Sequence, residues 1–328
     1  MTTNKRAMIA VYANSADRKD PLSALVVGER PVPEVRTGWK LIKVRAASLN
    51  HHDIWSLRGV GLASDRLPMI LGCDAAGVDE DGREVVVHGI IGDPDWTGPE
   101  TQDPKRSLLS EKYQGTFAEY VLVPERNLIA KPEQLSFVQA AALPTSWLTA
   151  YSALASKSGL KPGDTVLIQG AGGGVSTALT VLAHAMGFRT WVTTRNLANR
   201  DRALALGADE VFDSGIRLPS RVDAVMETVG EATWAHSVRA LRPGGTIVIS
   251  GATSGDSPPA ELTRIFFLEL KVIGSTMGSK AEFESLLNFM VDHHLEPVID
   301  SILPMNNARE GFARMLAGDV FGKIVFSL

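Results

Sequence analysis

Along the chain, apolar and polar positions fall into two textures. Up to about residue 125 the apolar runs are short and strand-like: AMIAVY, SALVVGERPVP, WKLIKVRAASLN, REVVVHGIIG and TFAEYVLVP. Turn-forming stretches such as VDEDGRE separate them, a pattern that predicts a β-rich module. From Pro162 the rhythm changes to strand then helix. Six mostly apolar runs predict strands at 165–169, 190–194, 210–213, 223–228, 246–250 and 271–276, with helices over 176–186, 198–206 and 232–241 among the connections. Apolar strands joined by crossover helices predict a parallel sheet covered on both faces. After it, 281–295 has a helical apolar period, and PVIDSIL and KIVFSL flank the helix-like NNAREGFARMLAGD. That ending does not continue the sheet and is expected to return to the first module.

The stretch 164–187, DTVLIQGAGGGVSTALTVLAHAMG, changes the picture from architecture to chemistry. A buried strand runs into glycines at 170, 172, 173 and 174, and a helix begins at once. Glycines let a backbone approach a pyrophosphate, and a helix N-terminus offers free N–H groups. The six-residue dinucleotide fingerprint is imperfect here: aligned on Ala171, its three positions hold Ala171, Gly173 and Ser176. Gly170, Gly174 and Val175 complete the candidate pyrophosphate loop. About 20 residues on, where an acidic side chain would hold the ribose hydroxyls of NAD, the chain reads WVTTRNLANR. Thr194 takes that position and no carboxylate follows. Arg195 and Arg200 are suited to the 2′-phosphate of NADP through charge-assisted bonds, unless both are merely solvated at a helix start. NADP is therefore the expected cofactor.

Composition narrows the classes. The 328 residues are 45% apolar and 21% charged, with net charge −4, so two domains with full cores are expected and a nucleic-acid partner is not. No apolar run of about 18 residues predicts a membrane span, and the first residues lack the apolar centre of a signal peptide. A cytoplasmic location is expected. Cys73 is the single cysteine, which excludes an intrachain disulfide and any four-thiolate zinc site.

Several segments together resemble the medium-chain dehydrogenase/reductase superfamily, closest to its zinc-independent quinone oxidoreductase-like branch. They are SLNHHDIWSLRG (48–59), LPMILGCDAAGV (67–78), GTFAEYVLVP (115–124), AAALPTSWLTAYSAL (140–154), GAGGGVSTA (170–178), LGADEVFD (206–213), LRPGGTIVISG (241–251) and GKIVF (322–326). The resemblance implies an α/β protein: a GroES-like β-rich catalytic domain made of 1–126 and 279–328, and a Rossmann doubly wound parallel-sheet domain, 127–278, binding NADP. It also implies a catalytic cleft between the two.

In zinc-dependent relatives the metal is held by a Cys, a His followed by Glu, and a second Cys. Those positions fall here on Asn50, on Cys73-Asp74, and on or near Thr145. Only Cys73 offers an ordinary zinc ligand, and residues 92–115, where the structural zinc lobe would lie, contain no Cys. Metal-free chemistry is expected, with carbonyl polarisation by hydrogen-bond donors. Asn50 and His52 are the candidate donors, His52 also as a proton source, and Asp53 as an orienting group beside them. Cys73 reads as a packed core thiol or a cleft-lining one, and Trp55 and Trp147 as cleft walls or core.

The resemblance also places cofactor contacts at His51, Thr145, Gly251, Ala252, Met277, Gly278 and Lys323. It implies homodimer formation through the strand KVIGST, which would otherwise be an aggregation-prone edge. The expected substrate is a small carbonyl compound, enone or quinone. Two competing readings are a zinc alcohol dehydrogenase with a divergent site and a non-enzymatic NADPH-binding sensor or structural protein.

Overall fold

The computed structural model describes residues 6–328. The chain divides into two compact units. The first comprises the chain up to Thr145 together with Ser279–Leu328; the second is Ser146–Gly278. Their strands and helices follow in chain order.

In the first unit, β1 (Ala7–Ala13), β2 (Leu25–Pro31) and β3 (Trp39–Ser48) lead into α1 (His51–Leu57). Short strands β4 (Met69–Ile70), β5 (Asp74–Val78), β6 (Glu84–Val87), β7 (Ile90–Ile91) and β8 (Ser107–Leu108) follow. Then come β9 (Tyr120–Pro124), β10 (Leu128–Ala130) and α2 (Phe137–Ala141). The second unit holds α3 (Leu148–Tyr151), β11 (Thr165–Ile168), α4 (Gly174–Ala185), β12 (Arg189–Thr194), α5 (Ala198–Ala205) and β13 (Glu210–Asp213). It continues with β14 (Val222–Glu227), α6 (Glu231–Ala240), β15 (Leu241–Ile249), α7 (Leu262–Phe267) and β16 (Lys271–Gly274). The chain then re-enters the first unit with α8 (Lys280–Asp292), β17 (Ile299–Pro304), α9 (Ala308–Ala317) and β18 (Lys323–Ser327).

The ending does complete the first module: β18 pairs antiparallel with β3, Val325 opposite Ser48, and parallel with β17. Its sheet has the order β10-β6-β5-β3-β18-β17, with β9 also on β3. Inward-facing residues of these strands meet α1 and α9 in one core that includes Ile42, Leu57, Met69, Phe117, Phe312 and Phe326. Phe117 stands edge-on to Phe326 at 5.1 Å between ring centroids, a favoured aromatic geometry. The first boundary falls after Thr145 rather than after residue 126. The reason lies in contacts remote in sequence: β10 pairs with β6, and α2 packs on β3 and β5.

The second unit is one parallel sheet of order β13-β12-β11-β14-β15-β16. All six predicted strands are present, within a residue or two except at β15, which begins at Leu241 rather than 246. The order reverses between β11 and β14, so the carboxyl ends of those strands form the switch point where such sheets bind ligands. Leu167, Trp191, Val225, Val238 and Ile247 build one face of its core. No helix among the described residues is long and apolar enough to cross a membrane.

Candidate active site

Two sites are built separately, one in each unit. In the first unit, β3 ends at Ser48 and α1 begins at His51, with extended Asn50 as its cap residue. The Asp53 carboxylate accepts the Asn50 N–H at 2.9 Å and the Gly72 N–H at 2.9 Å. It thereby ties the start of α1 to the turn before β5. Burial pushes Asp53 up to about 7 against those two donors. Gly72 holds φ +91°, and a Cβ there would strike the Phe117 ring and Thr116 Oγ1. Only glycine allows this turn, which delivers Cys73 and Asp74 to the floor of the site.

Asp74 is the centre of that floor and is fully buried. Its carboxylate accepts from Ser48 Oγ (2.8 Å), Asn50 Nδ2 (2.7 Å) and Thr145 Oγ1 (2.5 Å), and faces Lys323 Nζ at 3.4 Å. Lys323, from β18, is only 2% exposed. Its ammonium donates to Leu49 O (2.8 Å) and Asn50 Oδ1 (2.5 Å) as well as facing Asp74. A π-helical turn over Leu143–Trp147 carries Thr145. Since the Thr145 proton goes to Asp74, the Cys73 thiol, 3.3 Å away, donates to Thr145 Oγ1. Burial, with the Asp74 and Asp53 charges, pushes that thiol well above its ordinary value.

This network corrects three sequence expectations. Asn50 is not free to donate to a substrate, because its two N–H groups go to Asp74 and Ser48 O (3.3 Å). Lys323 has all three ammonium protons engaged inside the unit and does not reach for a cofactor. Thr145 turns its hydroxyl inward to Asp74 and Cys73. Asp53 acts on its neighbours through the backbone, accepting the Asn50 and Gly72 N–H groups. The residues on the zinc-ligand positions do not fit that metal. They are an amide whose oxygen holds an ammonium, a thiol held protonated and a hydroxyl, and an incoming dication would face the Lys323 charge.

His52 stands half-buried on α1, its Nε2 3.2 Å from Ser110 Oγ. Burial holds its imidazole below the ordinary histidine range, partly offset by the Glu111 and Asp74 charges. His52 is therefore neutral near pH 7 and serves better as an N–H donor than as an acid. His51 is exposed at the first position of α1. Trp55 carries the Arg58 guanidinium over its ring at 5.1 Å.

In the second unit, β11 runs through Gln169 to Gly170, at φ +83°, and on to α4. Helix α4 has Gly173 as cap residue and no side-chain cap. The N–H groups of Gly174, Val175 and Ser176 have no acceptor among the described residues. A Cβ on Gly173 would meet nothing nearer than Ser176 Oγ at 3.5 Å. Internal packing thus leaves room beside this helix end, and the bare N–H groups suit a pyrophosphate. Ser176 itself is buried and bonds back to Gly173 O. Thr194, at the end of β12, closes on Asn196, and Arg195 beyond it is exposed with no ion pair among the described residues. Arg200 differs from expectation: it already pairs with Asp213 at 3.0 Å. Gly251 and Ala252 follow β15, and Met277 and Gly278 come after β16, at the same edge of the parallel sheet. These groups fit a dinucleotide.

Sequence reasoning missed the polar chain under the glycine loop. Gln169 Oε1 accepts from Thr193 Oγ1 (2.7 Å), and its Nε2 donates to His236 Nδ1 and Ser237 Oγ (both 2.9 Å). His236 Nε2 faces Ile216 O at 2.8 Å, so that nitrogen carries the ring proton. Ser237 donates to buried Glu227, which also accepts the Val229 and Gly230 N–H groups and the Thr233 hydroxyl. A Glu at a strand end just before a helix was the available signal. Ser110 and the central place of Asp74 were missed too, because both depend on contacts remote in sequence.

The fold is that of a two-domain dehydrogenase or reductase. Residues 36–133 match the model of the alcohol dehydrogenase GroES-like domain, and 174–292 that of zinc-binding dehydrogenase. A zinc-type alcohol dehydrogenase-like protein from Leptosphaeria maculans is 30% identical, with 88% of this chain and 90% of that one covered. A 2-methylene-furan-3-one reductase of Solanum lycopersicum is also 30% identical, over 90% of this chain and 73% of that one. A solved NAD-dependent alcohol dehydrogenase superposes with TM-score 0.90 at 33% identity, covering 98% and 100% of the two chains. The chain belongs to the medium-chain dehydrogenase/reductase superfamily.

Removing one partner of a buried pair leaves the other uncompensated. Lys323→Met is expected to destabilise the protein by about 3–5 kcal/mol in urea unfolding. Adding Asp74→Asn to Lys323→Met should recover part of that loss. A single-mutant loss below about 1 kcal/mol, the range of an exposed pair, would contradict the network.

Proposed function

We propose that this chain is an NADPH-dependent, metal-free reductase of the quinone oxidoreductase-like branch, acting on a small carbonyl compound, enone or quinone. The observation that carries the proposal is the network in which Lys323 and Asp74 engage Asn50 and Thr145, residues on two of the positions that the resemblance gives to zinc ligands in metal-dependent relatives. The substrate class is supported by the relative named for a 2-methylene-furan-3-one, which is an α,β-unsaturated ketone. NADPH rather than NADH is supported by Thr194 and Arg195 at the end of β12, where no carboxylate stands.

When bound, NADPH supplies the hydride. The chain supplies binding and polarisation. The open N–H groups of Gly174, Val175 and Ser176 hold the pyrophosphate, and Arg195 pairs with the 2′-phosphate. Arg200 is secondary, since Asp213 competes for it. His52, kept neutral by burial, donates an N–H to the substrate oxygen and stabilises the charge that hydride arrival places there. For an enone, hydride adds to the β-carbon and water protonates the resulting enolate. A cytoplasmic location goes with this reading.

The same proposal includes a homodimer. Strand β16 is the terminal strand of its sheet, Val272 on it is exposed, and the preceding helix exposes Leu262, Phe266 (68%) and Phe267 (79%). An apolar open edge of this kind is stabilised by pairing with a second copy. Sedimentation velocity should therefore give a dimer that Val272→Lys converts to monomer; a wild-type monomer at micromolar concentration would contradict it.

NADPH oxidation across quinones, enones and aldehydes tests the activity. Arg195→Ala should raise KM for NADPH about tenfold or more, the worth of a charged hydrogen bond, and leave the NADH reaction unchanged. Equal losses with both cofactors, or no turnover of any compound despite tight NADPH binding, would overturn the reading.

A further inference from the structure

Ser110 lies in the turn after β8, fully buried, at φ +71°. That is a conformation glycine adopts freely and serine rarely. The turn is held firmly around it. Leu109 N–H donates to Gly89 O, Ser110 N–H to Tyr113 O and Glu111 N–H to Leu108 O, while Glu111 Oε2 accepts the Leu108 N–H. A serine kept where glycine would be relaxed points to a use for its hydroxyl, and that hydroxyl has one partner among the described residues, His52 Nε2.

A hydroxyl carries a single proton, and a buried donor left without an acceptor is costly. The only recorded acceptor for the Ser110 proton is the Nε2 lone pair. If Nε2 carried the ring proton instead, Ser110 would accept that bond and its own proton would have no acceptor inside the unit. We propose that Ser110 is a positioning residue that donates to His52 Nε2 and so fixes the imidazole as the Nδ1–H tautomer. Nδ1–H is then the donor left for a ligand, since Nδ1 has no hydrogen-bond partner among the described residues. The low basicity of the buried ring agrees with a neutral imidazole held in one tautomer. The catalytic half of this inference rests on the reductase reading, in which His52 polarises the substrate oxygen; the tautomer itself does not.

The test uses full-length protein labelled with nitrogen-15 at histidine. Long-range proton–nitrogen correlation spectra identify the tautomer of each ring, and His52 is assigned by the signal lost in His52→Gln. In the wild type His52 is expected as Nδ1–H. In Ser110→Ala and in Ser110→Gly it should move mainly to Nε2–H. The glycine variant relieves the backbone, so agreement between the two separates loss of the hydroxyl from strain. Both variants should lower kcat about tenfold, the factor by which the Nδ1–H population is depleted, with KM for NADPH unchanged. An Nε2–H ring in the wild type, or an unchanged Nδ1–H ring in both variants, overturns the assignment. A shifted tautomer with undiminished kcat overturns its catalytic half. If the wild type turns over none of the substrates, the reductase reading falls, and the spectra alone decide the role of Ser110.

Discussion

A lysine ammonium and an aspartate carboxylate sealed together beneath α1 constrain most of what the first unit can do. Two charges taken out of water cost several kcal/mol each unless geometry and hydrogen bonds compensate. Here the compensation is nearly complete. Asp74 receives three hydrogen bonds and the facing ammonium, and Lys323 has acceptors for all its protons. Asn50 serves both charges at once, its oxygen toward Lys323 and its nitrogen toward Asp74. Asn50, Thr145 and Lys323 are each held to Asp74. Under the proposed function, the chemistry falls to the groups beside the network, His52 above all.

That constraint also explains why the chain folds back on itself. Lys323 comes from the last strand and Asn50 from the first helix, and the two meet only because β18 pairs with β3. The second unit interrupts this module in sequence. It obeys the same rule on its own scale. Glu227 is buried at the end of β14, and the donors around it come from the turn before α6 and from its first two turns. Through Ser237, Gln169 and Thr193 the same bonds brace the strand that feeds the glycine loop. A rigid floor under that loop is what a site built from backbone N–H groups requires.

Much of the fold was legible in the sequence because its signals are local. Apolar runs of four to six residues bounded by turn formers located β11 to β16, and the glycines at 170–174 located the start of α4. Strand order was not legible, since parallel pairing depends on crossovers whose direction leaves no mark in the residues. The first boundary was misjudged for a related reason. Residues 128–141 look like a connection, and only their pairing with β6 and packing on β3 and β5 reveal their allegiance.

The site was legible in part. The resemblance groups Asn50, Cys73 and Thr145, but as vacated ligand positions rather than as members of a bonded network. The resemblance makes Lys323 a cofactor contact, and nothing in GKIVF shows that Asp74 faces it inside. Arg200 was paired with Arg195 by proximity in the chain, while Asp213 on the neighbouring strand holds it in the structure. Ser110 left no sign beyond a polar loop, because its meaning lies in a backbone angle and in a histidine 58 positions away.

The central claim is that an internal ammonium, not a metal, occupies the electrostatic centre of the first unit. It is tested most directly by metal analysis of the purified protein alongside its turnover before and after exhaustive treatment with a zinc chelator. The account predicts far less zinc than protein and unchanged NADPH oxidation after chelation. Stoichiometric zinc, together with activity that is lost on chelation and restored by adding the metal back, would contradict it.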